Sequence, residues 1–136
     1  MSDRVPVGRL VAVATVVGAG MMLLFGAWMR VDPDGFARWA NWPSHVHFLH
    51  DAGVFQLAIG VMMLCALWWR DAPAVVLAGF VFGNTFHAIN HAQDAHLGGS
   101  PSDPWALGVV SVLAAAGLYA RLRSLRGRKI GTEAGK

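Results

Sequence analysis

Imidazole and carboxylate side chains crowd into two short stretches of this chain. The first, "SHVHFLHDAG" at residues 44–53, carries three histidines and an aspartate. The second, "FHAINHAQDAH" at residues 86–96, carries three histidines, an asparagine and an aspartate. Imidazole nitrogen and carboxylate oxygen without thiolate suit Zn²⁺, copper or iron. The same groups also form hydrogen-bonded networks and proton relays, so both kinds of chemistry are considered.

Helical phase predicts which of these groups share a face. Residues three, four and seven positions apart lie on one side of a helix, so each stretch presents a polar stripe and turns one histidine, His45 or His96, away from it. The two stripes supply the predicted metal ligands, which are His47, His50, Asp51, His87, His91 and Asp94. Two further polar residues support the second stripe, Asn84 and Asn90.

Apolar segments that are long enough to cross a bilayer carry these stripes. With 55% hydrophobic and only 14% charged residues, the chain is too apolar for an ordinary soluble domain. A spanning helix needs about 20 apolar residues. We therefore predict an all-α fold, a single integral membrane four-helix bundle over residues 1–136 with a basic C-terminal tail at 125–136. The four spans are expected at about 8–29, 46–69, 74–95 and 105–124.

Short polar signals mark where helices begin. Asp71 and Asp103, each followed closely by a proline, are expected to cap the third and fourth spans. Within "DPDGFARWANWP", Asp32 and Pro33 predict a short amphipathic helix between the first and second spans. Its aromatic side chains would lie in the headgroup layer of the outer surface, and the segment would form a lid over whatever lies beneath it.

The connection between the second and third spans is very short, so these two helices are predicted to be antiparallel neighbours. Their polar stripes would then meet at the same membrane face, with the metal site between the two helices. Gly79 and Gly83 form a GxxxG pair in the third span, which allows close helix contact.

Basic residues predict the orientation in the membrane. The connection at 96–104 contains no Lys or Arg, whereas basic residues flank the other ends of the spans. The positive-inside rule therefore places both termini in the cytoplasm and the polar stripes outside, in a multi-pass protein of the inner or plasma membrane. The basic tail at 125–136 is more typical of contact with anionic lipid headgroups than of a nucleic-acid arm. The predicted partner is thus the lipid bilayer, with no nucleic acid.

These features favour a membrane protein with an outer-facing metal site that holds zinc, copper or iron. It would act as a small membrane oxidoreductase or as a metal-holding accessory, and no residue is assigned as catalytic. One alternative is a non-enzymatic subunit or stabiliser of a membrane complex, or a homo-oligomer, that uses the cluster as a polar network or proton relay. Another is an electron-transfer protein that binds quinone, or haem b between histidines of the two stripes.

The stretches "HFLHDAGVFQLAIGVMML" and "FGNTFHAINHAQD" resemble a group of small four-helix bacterial membrane proteins of uncharacterised activity. That resemblance covers about a third of the chain; it implies a four-helix fold and supplies no activity. The H-x-x-x-H and H-x-x-H-D pieces are also faintly similar to the histidine boxes of membrane di-iron desaturases. This chain is far shorter and lacks both the third box and the paired histidines, so that activity is not carried over.

The predicted orientation is tested with topology reporters. A reporter fused after Lys136 should report the cytoplasm, and one inserted between Gly98 and Gly99 should report the outside, because the positive-inside rule fixes both positions. The measurement is reporter activity on each side of the membrane. The opposite pattern would move the histidine-rich stretches to the cytoplasmic face.

Overall fold

Five α-helices make up the part of the chain that the structure, a computed structural model, describes: residues 7–69 and 72–133. These described residues contain no strand. Four of the helices are long and apolar enough to cross a membrane, which confirms the predicted all-α class and its four apolar spans. The helices are α1 (Arg9–Val31), α2 (Pro33–Ala40), α3 (Val46–Cys65), α4 (Ala72–Gln93) and α5 (Asp103–Glu133).

Two helix ends differ from the sequence expectation. α3 ends at Cys65, and the chain continues in turns through residues 66–69. Residues 125–133, part of the predicted basic tail, instead continue α5. Asp71, the cap expected for the third span, lies outside the described residues, as do residues 1–6, 70 and 134–136.

The short helix α2 lies across the end of α1. Asp32 caps it, because the Asp32 Oδ1 atom accepts a hydrogen bond from the Gly35 backbone N–H at 2.9 Å, as the Asp-Pro signal predicts. Its aromatic side chains pack against aromatic rings of α1 with centroid separations of 5.3 to 6.1 Å. The rings are Phe25, Trp28, Phe36 and Trp39. The end of the molecule that contains α2 is called the α2 end below.

Helix α1 is the central helix of the structure. It packs against α3 on one side and α5 on another, and α4 packs mainly against α5. A cluster of buried apolar side chains, including Ala14, Met63, Leu77 and Phe80, joins α1, α3 and α4. Elsewhere α3 and α4 make few contacts. The expectation that these two helices pack side by side is therefore wrong for this structure.

Glycines explain why α3 packs on α1 instead. A Cβ atom added to Gly26 would lie 2.8 Å from the Gly53 carbonyl oxygen, and one added to Gly53 would lie 2.8 Å from the Gly26 carbonyl oxygen. Small residues let apolar helices approach this closely, which is how helices associate in a membrane. At Gly79 and Gly83 an added Cβ meets nothing within 4 Å. Among the described residues, the close helix contact predicted for this GxxxG pair is thus absent.

The glycine contact predicts that Gly26→Ala destabilises the fold. The added methyl group meets backbone atoms of α3, and overpacking of this kind typically costs about 1–3 kcal/mol. Gly20→Ala is the matched control, because a Cβ there meets nothing within 4 Å and alanine is the better helix former. Thermal unfolding in detergent should show a lower melting temperature for Gly26→Ala only. Equal melting of the two variants would contradict the close α1–α3 contact.

Candidate functional site

Two imidazoles and a carboxylate form a row at the α2 end. The Nε2 atoms of His87 and His91 are 3.0 Å apart, and their rings stack with centroids 4.8 Å apart. The Nδ1 atom of His91 faces the Asp103 Oδ2 atom at 3.5 Å. The side chains of His91 and Asp103 are 17% and 28% exposed, so water only partly screens their interaction. Both ring nitrogens of His91 are therefore engaged.

A tight turn before α5 positions the Asp103 carboxylate. The Ser100 backbone N–H donates a hydrogen bond of 2.8 Å to Asp103 Oδ2. The Ser102 carbonyl accepts the hydrogen bond from the Ala106 backbone N–H, so Ser102 precedes the first turn of α5. The expectation that Asp103 is the N-cap is wrong. The Asp103 carboxylate instead accepts a hydrogen bond from the connection between α4 and α5, and there it also faces His91.

The segment after α2 closes over this row. Asn41 adopts a left-handed conformation, with φ of 55°, and its carbonyl oxygen accepts a hydrogen bond from the Gly99 N–H at 3.1 Å. The Asn41 Nδ2 atom donates in return to the Gly99 carbonyl at 3.2 Å. The Trp42 ring then lies edge-on to His91, with centroids 5.9 Å apart. This segment therefore covers His91, as the lid interpretation of the sequence expects.

Glycine is required at position 99 in this arrangement. Gly99 has φ of +87°, a conformation that L side chains rarely adopt. A Cβ there would lie 3.3 Å from His91 Nδ1 and 3.2 Å from Asp103 Oδ2. Because Gly99 has no side chain, the connection between α4 and α5 can pass directly over the His91 imidazole and the Asp103 carboxylate.

Asn84 fixes how α4 sits against α5. Its Nδ2 atom donates hydrogen bonds to the Leu107 carbonyl oxygen at 2.8 Å and to Ser111 Oγ at 2.9 Å. Asn84 and Ser111 are buried, so these bonds hold the two helices in one rotational setting. His91 follows two turns later on α4 and thereby meets the start of α5. Asn84 supports the site through helix packing, whereas Asn90 is exposed and forms no hydrogen bond through its side chain to any described residue.

The histidines of α3 occupy a different environment. His47 pairs with Asp51 at 3.5 Å, and their side chains are 85% and 61% exposed. The Nδ1 atom of His45 accepts a hydrogen bond from the Phe48 N–H at 3.2 Å and caps α3. His50 is half-buried without a polar partner among the described residues.

The structure does not gather the six predicted ligands into one group. Among residues 7–69 and 72–127, whose side chains the structure describes, no three His, Cys, Asp or Glu side chains are close enough together to hold a metal ion. His87 and His91 are brought together, and so are His47 and Asp51, while Asp94 lies one residue beyond the end of α4. Metal binding by these residues stays a prediction.

An apolar groove of about 750 Å³ runs between α4 and α5 beside His91. Small and apolar side chains line most of it, and Ser100 and His91 contribute polar groups. Both helices that form the groove are apolar enough to cross a membrane. The groove therefore ends beside His91, one of the two imidazoles of the row.

No protein-family model, curated protein or solved structure matches this chain. Its function is therefore inferred from its own residues. Two of them, Asp103 and Trp42, carry sequence signals for other roles, which are a helix cap for Asp103 and an aromatic side chain in the headgroup layer for Trp42. One signal for Asp103 was available: the short connection at 94–102 must bring the start of α5 close to the end of α4.

The role of Asn84 predicts a difference between two matched variants. Asn84→Ala removes the donor to Leu107 and Ser111 and should lower stability by about 1 kcal/mol, the usual effect of such a bond. Asn90→Ala, the same change at an exposed position six residues along α4, should leave stability unchanged. Thermal melting in detergent distinguishes them. If Asn84→Ala melts like the wild type, the hydrogen bonds do not hold α4 against α5.

Proposed function

We propose that this chain is a multi-pass membrane protein that binds a transition metal ion through His87 and His91. The supporting observation is the 3.0 Å separation of their Nε2 atoms. Two nitrogens bound to one Zn²⁺ at about 2.0–2.1 Å lie about 2.9–3.4 Å from each other, depending on the angle between the bonds. The pair thus has the spacing of two adjacent ligands of one ion.

The Asp103 carboxylate supports this role. A neutral imidazole carries one proton, and a carboxylate beside Nδ1 favours the proton there. The lone pair of His91 then lies on Nε2, the atom that faces His87. A carboxylate that orients a ligating histidine in this way is a recurring feature of metal sites, and its loss usually weakens metal binding by about 10–100-fold.

In this proposal the α2 end faces the outside of a cell membrane and both termini face the cytoplasm. The distribution of charge supports that orientation, because Arg121, Arg123 and Arg126 lie near the opposite end of α5 from Asp103. The metal would then be taken up from the outer side. Imidazole ligands suit zinc, copper or iron.

Two imidazoles leave several coordination positions of the ion open. These positions are available to ligands from outside the chain, such as side chains of another protein, water or a substrate. A metal-holding accessory that passes its ion to another protein fits this arrangement. A small oxidoreductase fits it where the ion is copper or iron.

The same row of groups supports a second candidate function, a proton relay. The Nε2 atoms of His87 and His91 are also within hydrogen-bond distance of each other, and Asp103 extends the row from the helix ends into the turn before α5. A proton entering at Asp103 could pass through His91 to His87 without a metal ion. The two functions differ in whether the protein binds a metal with saturable affinity.

Metal binding by selected variants tests the proposal. His87→Ala and His91→Ala should each weaken the binding of added Zn²⁺ or Cu²⁺ tenfold or more. Asp103→Asn should also weaken binding, because the proton of His91 is then no longer held on Nδ1 by a carboxylate. His96→Ala is the control, because His96 is exposed and has no polar partner among the described residues. Binding is measured by titration of the purified full-length chain in detergent. Binding should also weaken as the solution is acidified, because a ligating imidazole must be neutral.

Absence of saturable binding that depends on His87 would rule out the metal function. The relay would then be the better account of the row.

A further inference from the structure

The imidazole pair is only half of a closed metal site. Structural zinc sites use four protein ligands in a tetrahedron. Among the side chains that the structure describes, those of residues 7–69 and 72–127, no group of three His, Cys, Asp or Glu that could hold a metal ion forms around His87 and His91. His87 nevertheless lies on an exposed face of α4, so ligands from outside the chain can approach it.

The exposed face of α4 is suited to a second helix. Gly79, Gly83, His87 and His91 follow each other at intervals of four residues, which places them along one ridge of the helix. An added Cβ at either glycine meets nothing within 4 Å, so this part of the ridge has no close neighbour among the described residues. Ridges of this spacing incline at about 26° to the helix axis, and two of them align when helices cross at about −40 to −50°. The same crossing is typical of GxxxG pairs.

We propose that a second copy of this chain packs on this face and completes the metal site. The inference rests on the proposed function of His87 and His91. Two copies that share one orientation in the membrane are related by a two-fold axis along the membrane normal, so their α4 helices are parallel. The axis places equal residues at equal depth. Glycine would meet glycine, and the two imidazole pairs would face each other across the axis with four nitrogens around one ion.

Distances along the helix are compatible with this arrangement. At a rise of about 1.5 Å per residue, His87 lies about 6 Å beyond Gly83 along α4. Helices that touch at glycine and cross at about 40° separate gradually from the crossing point. The imidazoles lie one and two turns away from the contact, where the growing gap leaves room for their rings and an ion.

Charge also favours a second copy as the occupant. α4 contains no Asp, Glu, Lys or Arg between Ala72 and Gln93. Two identical faces can therefore meet without repulsion between like formal charges. With neutral imidazoles, α4 would bring no formal charge of its own to the ion, and the Asp103 carboxylate behind His91 would partly balance the charge of a divalent cation. A partner of strong charge would lack a counterpart on this face.

Zinc stoichiometry and mass of the full-length protein in detergent test the inference. The expected result is one Zn²⁺ per two chains, a dimer in the presence of Zn²⁺ and a monomer after chelation. Gly83→Leu should abolish the dimer and weaken Zn²⁺ binding tenfold or more, because its side chain separates the helices. Gly20→Leu is the matched control on α1, because an added Cβ there also meets nothing within 4 Å. Circular dichroism verifies that both variants keep their helices.

The outcomes separate this inference from the proposed function. One Zn²⁺ per monomeric chain, still dependent on His87, would overturn the shared site and leave the proposed metal function intact. No binding that depends on His87 would overturn both. A Zn²⁺-dependent dimer that Gly83→Leu leaves unchanged would place the interface on another face and also overturn the inference.

Discussion

The contact between the Asp103 carboxylate and the His91 imidazole connects the parts of the α2 end. The carboxylate holds the turn before α5 through the Ser100 N–H, and it faces the ring that Trp42 covers. A ring nitrogen beside a carboxylate keeps its proton, so the opposite nitrogen presents a lone pair to His87. The geometry of the connection and the chemistry of the imidazole pair therefore depend on the same group.

Helix packing determines which polar groups can cooperate. Glycine contacts join α3 to α1, and Asn84 joins α4 to α5, so the two histidine-bearing helices have different main neighbours. His45 and His47 remain exposed at the start of α3, where they cap the helix or pair with Asp51, and His50 is half-buried. On α4, His91 is held by Asp103 and Trp42, which lie outside α4, and His91 in turn contacts His87.

Sequence patterns predicted the elements of this fold better than their arrangement. Long apolar runs predict spanning helices because each needs a minimum length of apolar residues, and the Asp32-Pro33 signal predicts α2 because capping is local. The choice of neighbours is different. Lipid is as apolar as leucine, so hydrophobicity does not select a partner helix. The selection depends on single glycines such as Gly26 and Gly53, which lie in separate helices and form no motif.

The candidate site shows the same limit. Helical phase brought His87 and His91 together, because four residues are about one turn. Helical phase could not predict that Asp103 contacts His91, because Asp103 follows a turn whose course depends on Gly99 and Asn41. It also grouped the α3 histidines with the α4 pair on the assumption that consecutive helices pack together.

X-ray absorption spectroscopy of the metal-loaded, purified protein tests the central claim most directly, because it reports the atoms bound to the ion. The account predicts imidazole nitrogens at about 2.0–2.1 Å from Zn²⁺, with the imidazole signal reduced in His87→Ala and unchanged in His96→Ala. A shell of oxygen alone, or an imidazole signal that His87→Ala leaves intact, would contradict the claim that His87 and His91 bind the ion.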